Sequence, residues 1–179
     1  MSIAKLKISI LNSVNEYSNF LNTLSEEDFQ KSPESGGWSY SEVYSHIFQS
    51  NLGSLIAAEK CINGTGERTR KGTQWVARAI LFFGYFPPVK IKAPARIAAM
   101  VSKIDKEQAR NLIVKFKSRL SDISPGIEKT SPDIKIMHPR LGLLNARQWF
   151  RFIEIHSRHH QKQLERIGKN FTRNTGVPA

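Results

Sequence analysis

Apolar residues recur at three- and four-residue spacing through four long stretches of this chain, which points to packed helices. In the first stretch, Ile3, Leu6, Ile10, Leu11, Val14, Tyr17, Leu21 and Leu24 line one face. Such a stripe marks an amphipathic helix that buries one side. It predicts helix one from about Ser2 to Leu24. Ser39 and Glu42 stand at capping-box spacing, in which each side chain satisfies the other residue's free backbone N–H. Helix two is therefore expected from Ser39 to about Cys61, closed by Asn63-Gly64-Thr65-Gly66, where glycine tolerates a left-handed backbone. Helix three is expected from about Asp105 to Ser121, on Ala109, Leu112, Ile113, Phe116 and Leu120. Asn145, with Gln148 three residues on, can cap a last helix to about Ile167.

Between these stretches lie connections rich in turn residues. Residues 25–37 end in Gly36-Gly37-Trp38, and residues 64–73 read as a polar, basic loop. Residues 74–85 predict a short apolar helix stopped by Pro87-Pro88, followed by a loop with Pro94. Residues 122–144, with Pro125, Pro132, Pro139 and several glycines, predict a long irregular connection. Strand-like alternation is scarce. The expectation is an all-α four-helix bundle with one short extra helix and long crossover loops. Its 179 residues suit one domain, residues 1–168, with a polar tail, residues 169–179. A domain of this size needs no disulfide. The lone Cys61 excludes a disulfide framework and a cysteine zinc cluster, and reads as a packed helix residue.

Charge is uneven. Residues 1–59 carry three basic and seven acidic side chains; the remainder carries 24 and eight, within a total of +12. Such a balance favours anionic partners. No run of five or six like charges forms a nucleic-acid tail. The N-terminal stretch carries Lys5 and Lys7 and does not read as a leader. The most apolar segment, Trp75 to Val89, contains Arg78 and is short of the ~20 residues of a membrane span. A cytoplasmic protein without a membrane partner is expected.

Three of the five histidines fall in one helix. With Trp149 at 0° and about 100° per residue, Ile153 lies at about 40°, Phe152 at about 300° and Leu164 at about 60°. On the same wheel His156 at about 340° and His160 at about 20° sit inside this apolar stripe, one turn apart. His159 at about 280° is at its edge, and Glu154 at about 140° faces away. Two imidazoles at i and i+4 can share one divalent metal, or each can hydrogen-bond a core partner. On helix two, His46 shares a face with Val43, Ser50, Gly53 and Ala57, mostly small. If that face meets the last helix, His46, His156 and His160 supply three nitrogen ligands with an open coordination position, the pattern of a catalytic metal.

The run Gly37-Trp38-Ser39 with Glu42 and His46 resembles the second-helix motif of the DinB/YfiT-like family. His138-Pro139, the Gly142 turn, Trp149, His156, His160 and Gln163 resemble its last-helix signature, H-x-x-x-H-x-x-Q. The likeness covers about residues 5 to 168. It implies an up-down-down-up four-helix bundle whose histidine triad, here His46, His156 and His160, binds a divalent metal, often zinc or nickel. Gln163 matches a position near the site with a supporting or packing role, and His159 and His138 match no ligand position. The family includes proteins assigned as metal hydrolases, thiol-dependent transferases and maleylpyruvate isomerases.

The leading expectation is a metal-dependent enzyme acting on a small anionic or electrophilic substrate. It is either a hydrolase or a transferase of a low-molecular-weight thiol whose carboxylates Arg78, Arg96, Arg147 or Arg151 would hold. A homodimer is expected. The alternatives are a non-catalytic metal-binding protein and a basic nucleic-acid-binding module. The latter would stack bases on Trp75, Phe82, Phe83, Tyr85 and Phe86; their apolar spacing favours packing in the bundle or a dimer interface instead.

Overall fold

The computed structural model describes residues 1–34, 36–87 and 101–174, with side chains through residue 171. The elements run α1 (Ile3–Thr23), α2 (Glu26–Gln30), α3 (Tyr40–Ile62), β1 (Glu67–Arg68), α4 (Trp75–Phe83), α5 (Lys106–Ile127), β2 (Ile134–His138), β3 (Gly142–Asn145) and α6 (Ala146–Asn174). The four long helices form the bundle, with α3 packed on α5 and α6, and α1 packed on the same two. The predicted stripes are its core: Leu6, Ile10, Val14, Tyr17 and Leu21 from α1 meet Ile47, Phe48 and Leu55 from α3, Phe116 and Leu120 from α5, and Phe150 and Ile153 from α6.

Helix ends follow local chemistry. Ser39 and Glu42 form the predicted capping box, and Asp105 and Gln108 form a second. Asn145 and Gln148 each accept the other's backbone N–H, at 2.9 and 3.0 Å. Each closes donors that a helix start leaves unpaired.

The structure corrects the predicted connections. Residues 25–37 contain α2, started by Ser25, whose hydroxyl accepts from the backbone N–H of Asp28. Helix α5 passes through Pro125 to Ile127. Proline removes one helix bond to the carbonyl four residues back, and the Ser124 hydroxyl donates to that carbonyl, Ser121 O, at 3.2 Å. The rest of 122–144 is largely a hairpin. Strands β2 and β3 pair antiparallel from Lys135↔Asn145 to His138↔Gly142, and β1 adds on the other edge of β2. The three-residue connection closes on Gly142 at φ 77°, a conformation that favours glycine. Leu144 is fully buried under this sheet, and the Cys61 thiol lies 3.8 Å from its carbonyl. Burial pushes the thiol up to about 11, as befits a packed cysteine. The last helix does not stop near Ile167. It continues to Asn174, and Phe171 meets the Tyr40 ring at 5.8 Å.

Helix α4 departs furthest from expectation. Only Ala77 and Ile80 are buried in it. Trp75, Phe82, Phe83 and Tyr85, expected to pack in the bundle or at a dimer interface, are 80%, 81%, 62% and 59% exposed, so the bundle does not take them up. Phe86 alone of the five turns inward, to within 5.0 Å of the His159 ring.

Candidate metal centre

His46 lies two turns into α3, whereas His156 and His160 face it from the middle of α6. The α3–α6 contact is the most extensive helix pair in the bundle. One ring nitrogen from each of the three lies within 4.8 Å of the other two. The ring centroids are 4.6 Å apart for His156–His160, 4.8 Å for His46–His160 and 5.3 Å for His46–His156. His156 and His160 are buried, and His46 is half-buried at the rim. The helix-wheel placement of all three is therefore what the structure brings together.

The protonation of each buried ring follows from its neighbours. The Ser157 hydroxyl donates to Ile153 O at 2.8 Å, so its oxygen accepts from Asn51 Nδ2 at 3.0 Å. That fixes Asn51 with its carbonyl oxygen 3.1 Å from His156 Nδ1. An amide oxygen only accepts, so His156 carries its proton on Nδ1 and a lone pair on Nε2. Gln163 Oε1 lies 2.6 Å from His160 Nδ1 and imposes the same tautomer there. The two Nε2 atoms are 3.1 Å apart. Two lone pairs at that distance repel, and a shared cation relieves the repulsion. Nitrogen–metal bonds of 2.0–2.1 Å at tetrahedral angles imply nitrogens about 3.4 Å apart. The His156–His160 pair is close to that spacing. His46, whose Nδ1 has only a long contact of 3.5 Å to Ser50 Oγ, supplies the third nitrogen within 4.8 Å. The residues present thus fit a divalent ion.

Electrostatics agree with a nitrogen site. Burial pushes His46 down to about 4 and His160 down to about 3, and holds His156 well below the usual histidine range; the neighbouring imidazoles add to each shift. Burial disfavours the charged form of a base. All three rings are therefore neutral at pH 7 and ready to ligate without releasing a proton. Aromatic rings wall the cluster: Trp38 at 5.0 Å from His46, Phe152 stacked on His156 at 5.1 Å, and Phe86 at 6.4 Å from His156.

The family model of the DinB superfamily matches residues 12–164. The chain belongs to the DinB superfamily. Among solved structures, TT2238, described as a four-helix bundle protein, is 15% identical with a TM-score of 0.50, over 92% of this chain and 98% of that one. At that identity the likeness speaks to the fold alone. No curated protein sequence matches.

Within this DinB-superfamily chain the remaining histidines have other places. His138 Nδ1 accepts from the backbone N–H of Arg140 and Leu141, both at 3.1 Å, and so closes the hairpin turn. His159 packs edge-on beside His160 at 5.1 Å, at the rim. Of the arginines expected to hold a carboxylate at the site, Arg151 binds Glu154 and the Leu81 carbonyl, and Arg147 binds the Met1 carbonyl. Arg78 is exposed on α4, and Arg96 lies outside the described residues. Glu154 does face away from the triad, yet it is buried, held by Arg151, Arg158 and Ser9. Sequence reasoning missed Asn51 and Ser157. A polar residue fully buried in an apolar helix is their signal, but the sequence does not show which positions are buried.

Proposed function

We propose that His46, His156 and His160 hold one zinc or nickel ion and that the protein is a metal-dependent enzyme. The observation that carries this reading is the convergence of three neutral imidazoles, with the Nε2 lone pairs of His156 and His160 facing each other at 3.1 Å. A divalent ion with three protein ligands keeps an open position, where it acidifies a bound water or thiol and supplies a nucleophile at neutral pH. The chain's own residues prepare that site. Asn51 and Gln163 orient the two buried rings through their carbonyl oxygens, the usual supporting role around ligating histidines. Trp38, Phe86 and Phe152 exclude water from the ring faces.

Hydrolysis and thiol transfer are the two chemistries such a centre would serve. Thiol transfer would need a cation to hold the carboxylates of the thiol; among the described residues Arg147 and Arg151 are engaged elsewhere, which leaves the exposed Arg78 for that role. The substrate class proposed is a small electrophile or anion.

Elemental analysis of protein purified without chelator tests the metal reading. About one equivalent per chain is expected, and His156→Ala and His160→Ala should each lose it. A wild-type protein that stays metal-free after incubation with zinc and with nickel sinks the proposal. A panel of activated esters and amides, set against thiols paired with monochlorobimane, separates the two chemistries.

A further inference from the structure

Helix α4 is apolar but for Arg78. Its inward face is served by Ala77, Ile80 and the half-buried Leu81, while Trp75, Val76, Phe82 and Phe83 point outward. A helix with apolar residues on both its faces is normally buried. Contiguous exposed apolar surface marks an interaction site. Phe82 and Phe83 pack edge-on at 5.2 Å, and Tyr85 extends the group at 6.0 Å from Phe83.

Polar pegs join the packing of Ala77, Ile80 and Leu81 in holding this helix in place. Arg151 Nε donates to the Leu81 carbonyl at 3.3 Å, and Arg158 Nη2 donates to the Gly84 carbonyl at 2.8 Å. Both arginines pair with the buried Glu154. The chain leaves α4 at Gly84, φ 78°, where a Cβ would run into the Arg151 guanidinium. The pegs fix the C-terminal end of α4 to the bundle and leave its aromatic face outward.

The segment that carries this face is basic, with Glu67 the nearest acidic residue before it in sequence. From Arg68 to Pro87 there is no acidic residue, and Arg68, Arg70, Lys71 and Arg78 are all exposed. The whole chain carries +12. A second copy would bring the same positive surface to the same patch. A polynucleotide would satisfy the charge but would leave Phe82 and Val76 with little to bury them. Anionic lipid satisfies both, with aromatic and aliphatic side chains at the acyl boundary and Arg and Lys at the headgroups.

We propose that α4 docks the protein on an anionic membrane surface. Attachment in the interface needs no spanning segment, and among the described residues no helix is long and apolar enough to cross a bilayer. The sequence alone led us to expect no membrane partner; the outward display of the aromatics is what changes that reading. The proposal is independent of the metal centre.

Co-sedimentation of the full chain tests it, with vesicles of phosphatidylcholine and phosphatidylglycerol in equal parts against phosphatidylcholine alone. Binding to the mixed vesicles is expected, weakened by salt. The double variant Phe82→Ser/Phe83→Ser should bind at least about tenfold less. Val114→Ser, which removes an equally exposed apolar side chain from α5, should bind as wild type. No binding to the mixed vesicles overturns the proposal, as does binding that the double variant retains. Two further results also overturn it: single-stranded DNA binding, or self-association, that the double variant abolishes while vesicle binding is absent.

Discussion

The α3–α6 seam and helix α4 invert the same rule in opposite directions. At the seam, His156, His160, Asn51 and Ser157 are polar and buried. On α4, Trp75, Phe82 and Phe83 are apolar and exposed. Folding alone would exchange them, because a buried polar group must find a partner and an exposed aromatic forfeits burial worth about 1.5–3 kcal/mol. The seam meets this cost with hydrogen bonds at the Nδ1 atoms and leaves the His156 and His160 Nε2 atoms facing each other. Helix α4 meets it with arginine pegs from α6 beneath. In both regions, the part of the arrangement that folding does not explain is where a ligand is proposed.

Acid should produce the largest effect, and it acts on the seam. The buried histidines titrate below their unfolded value near 6.5, His46 near 4 and His160 near 3. Between those values the unfolded chain binds more protons, so stability falls as pH drops below 6.5. Each fully buried ring costs up to about 1.4 kcal/mol per pH unit, and the half-buried His46 costs less. Urea unfolding in chelator from pH 7 to pH 5 should show this decline. His160→Gln should flatten it by about one proton. Equal slopes for the two proteins would mean that His160 is not held neutral.

The next effect belongs to the pegs. Glu154→Gln leaves Arg151 and Arg158 without their shared carboxylate. Breaking a buried pair from one side costs about 3–5 kcal/mol. Here Arg158 is 47% exposed, and the expected loss is closer to ~2 kcal/mol after solvent screening. Denaturant midpoints measure it. Hydrogen exchange should accelerate in α4 while zinc stoichiometry stays at wild type. Loss of metal in this variant would show that the two regions are one unit.

Asn51→Ala reverses the pattern. It removes the acceptor that fixes His156 and leaves the Ser157 hydroxyl oxygen short of a donor. Metal affinity should fall about 10–100-fold, with a folding cost of about 1–3 kcal/mol. Competition with a chromophoric chelator reads the first, and Asn51→Asp, which keeps an acceptor toward Nδ1, should recover part of it. Affinity unchanged in Asn51→Ala would remove the tautomer argument.

What the sequence could show divides along the same line. Helical spacing placed the four long helices, and the wheel placed His156 and His160 inside the apolar stripe of α6. The histidine cluster was legible because it lies on regular helices with fixed angular arithmetic. The hairpin was not. Pro132, Pro139 and the glycines of 122–144 read as breakers, whereas Ile134, Ile136 and Leu144 pair only because β1 and the end of α3 lie beside them. Nor was the exposure of α4 legible. Its composition is that of a core helix, and only the tertiary structure shows that α6 offers arginines to its C-terminal end and leaves Phe82 and Phe83 outward.

The smallest effect is the sharpest test of that last point. Phe82→Ser removes a large aromatic from a nine-residue apolar helix. A core phenylalanine cut back costs about 3–5 kcal/mol. At 81% exposure Phe82 has little packing to lose, and a surface change of this kind stays within about 0.5 kcal/mol. Denaturant midpoint and metal stoichiometry should both match wild type. A midpoint loss of more than about 1 kcal/mol would mean that Phe82 packs against the protein itself in solution. The aromatic face would then be part of the core, and the contrast between the seam and α4 would fail at its apolar end. A midpoint unchanged while vesicle binding falls separates the face from the fold and leaves its retention to what it touches outside the chain.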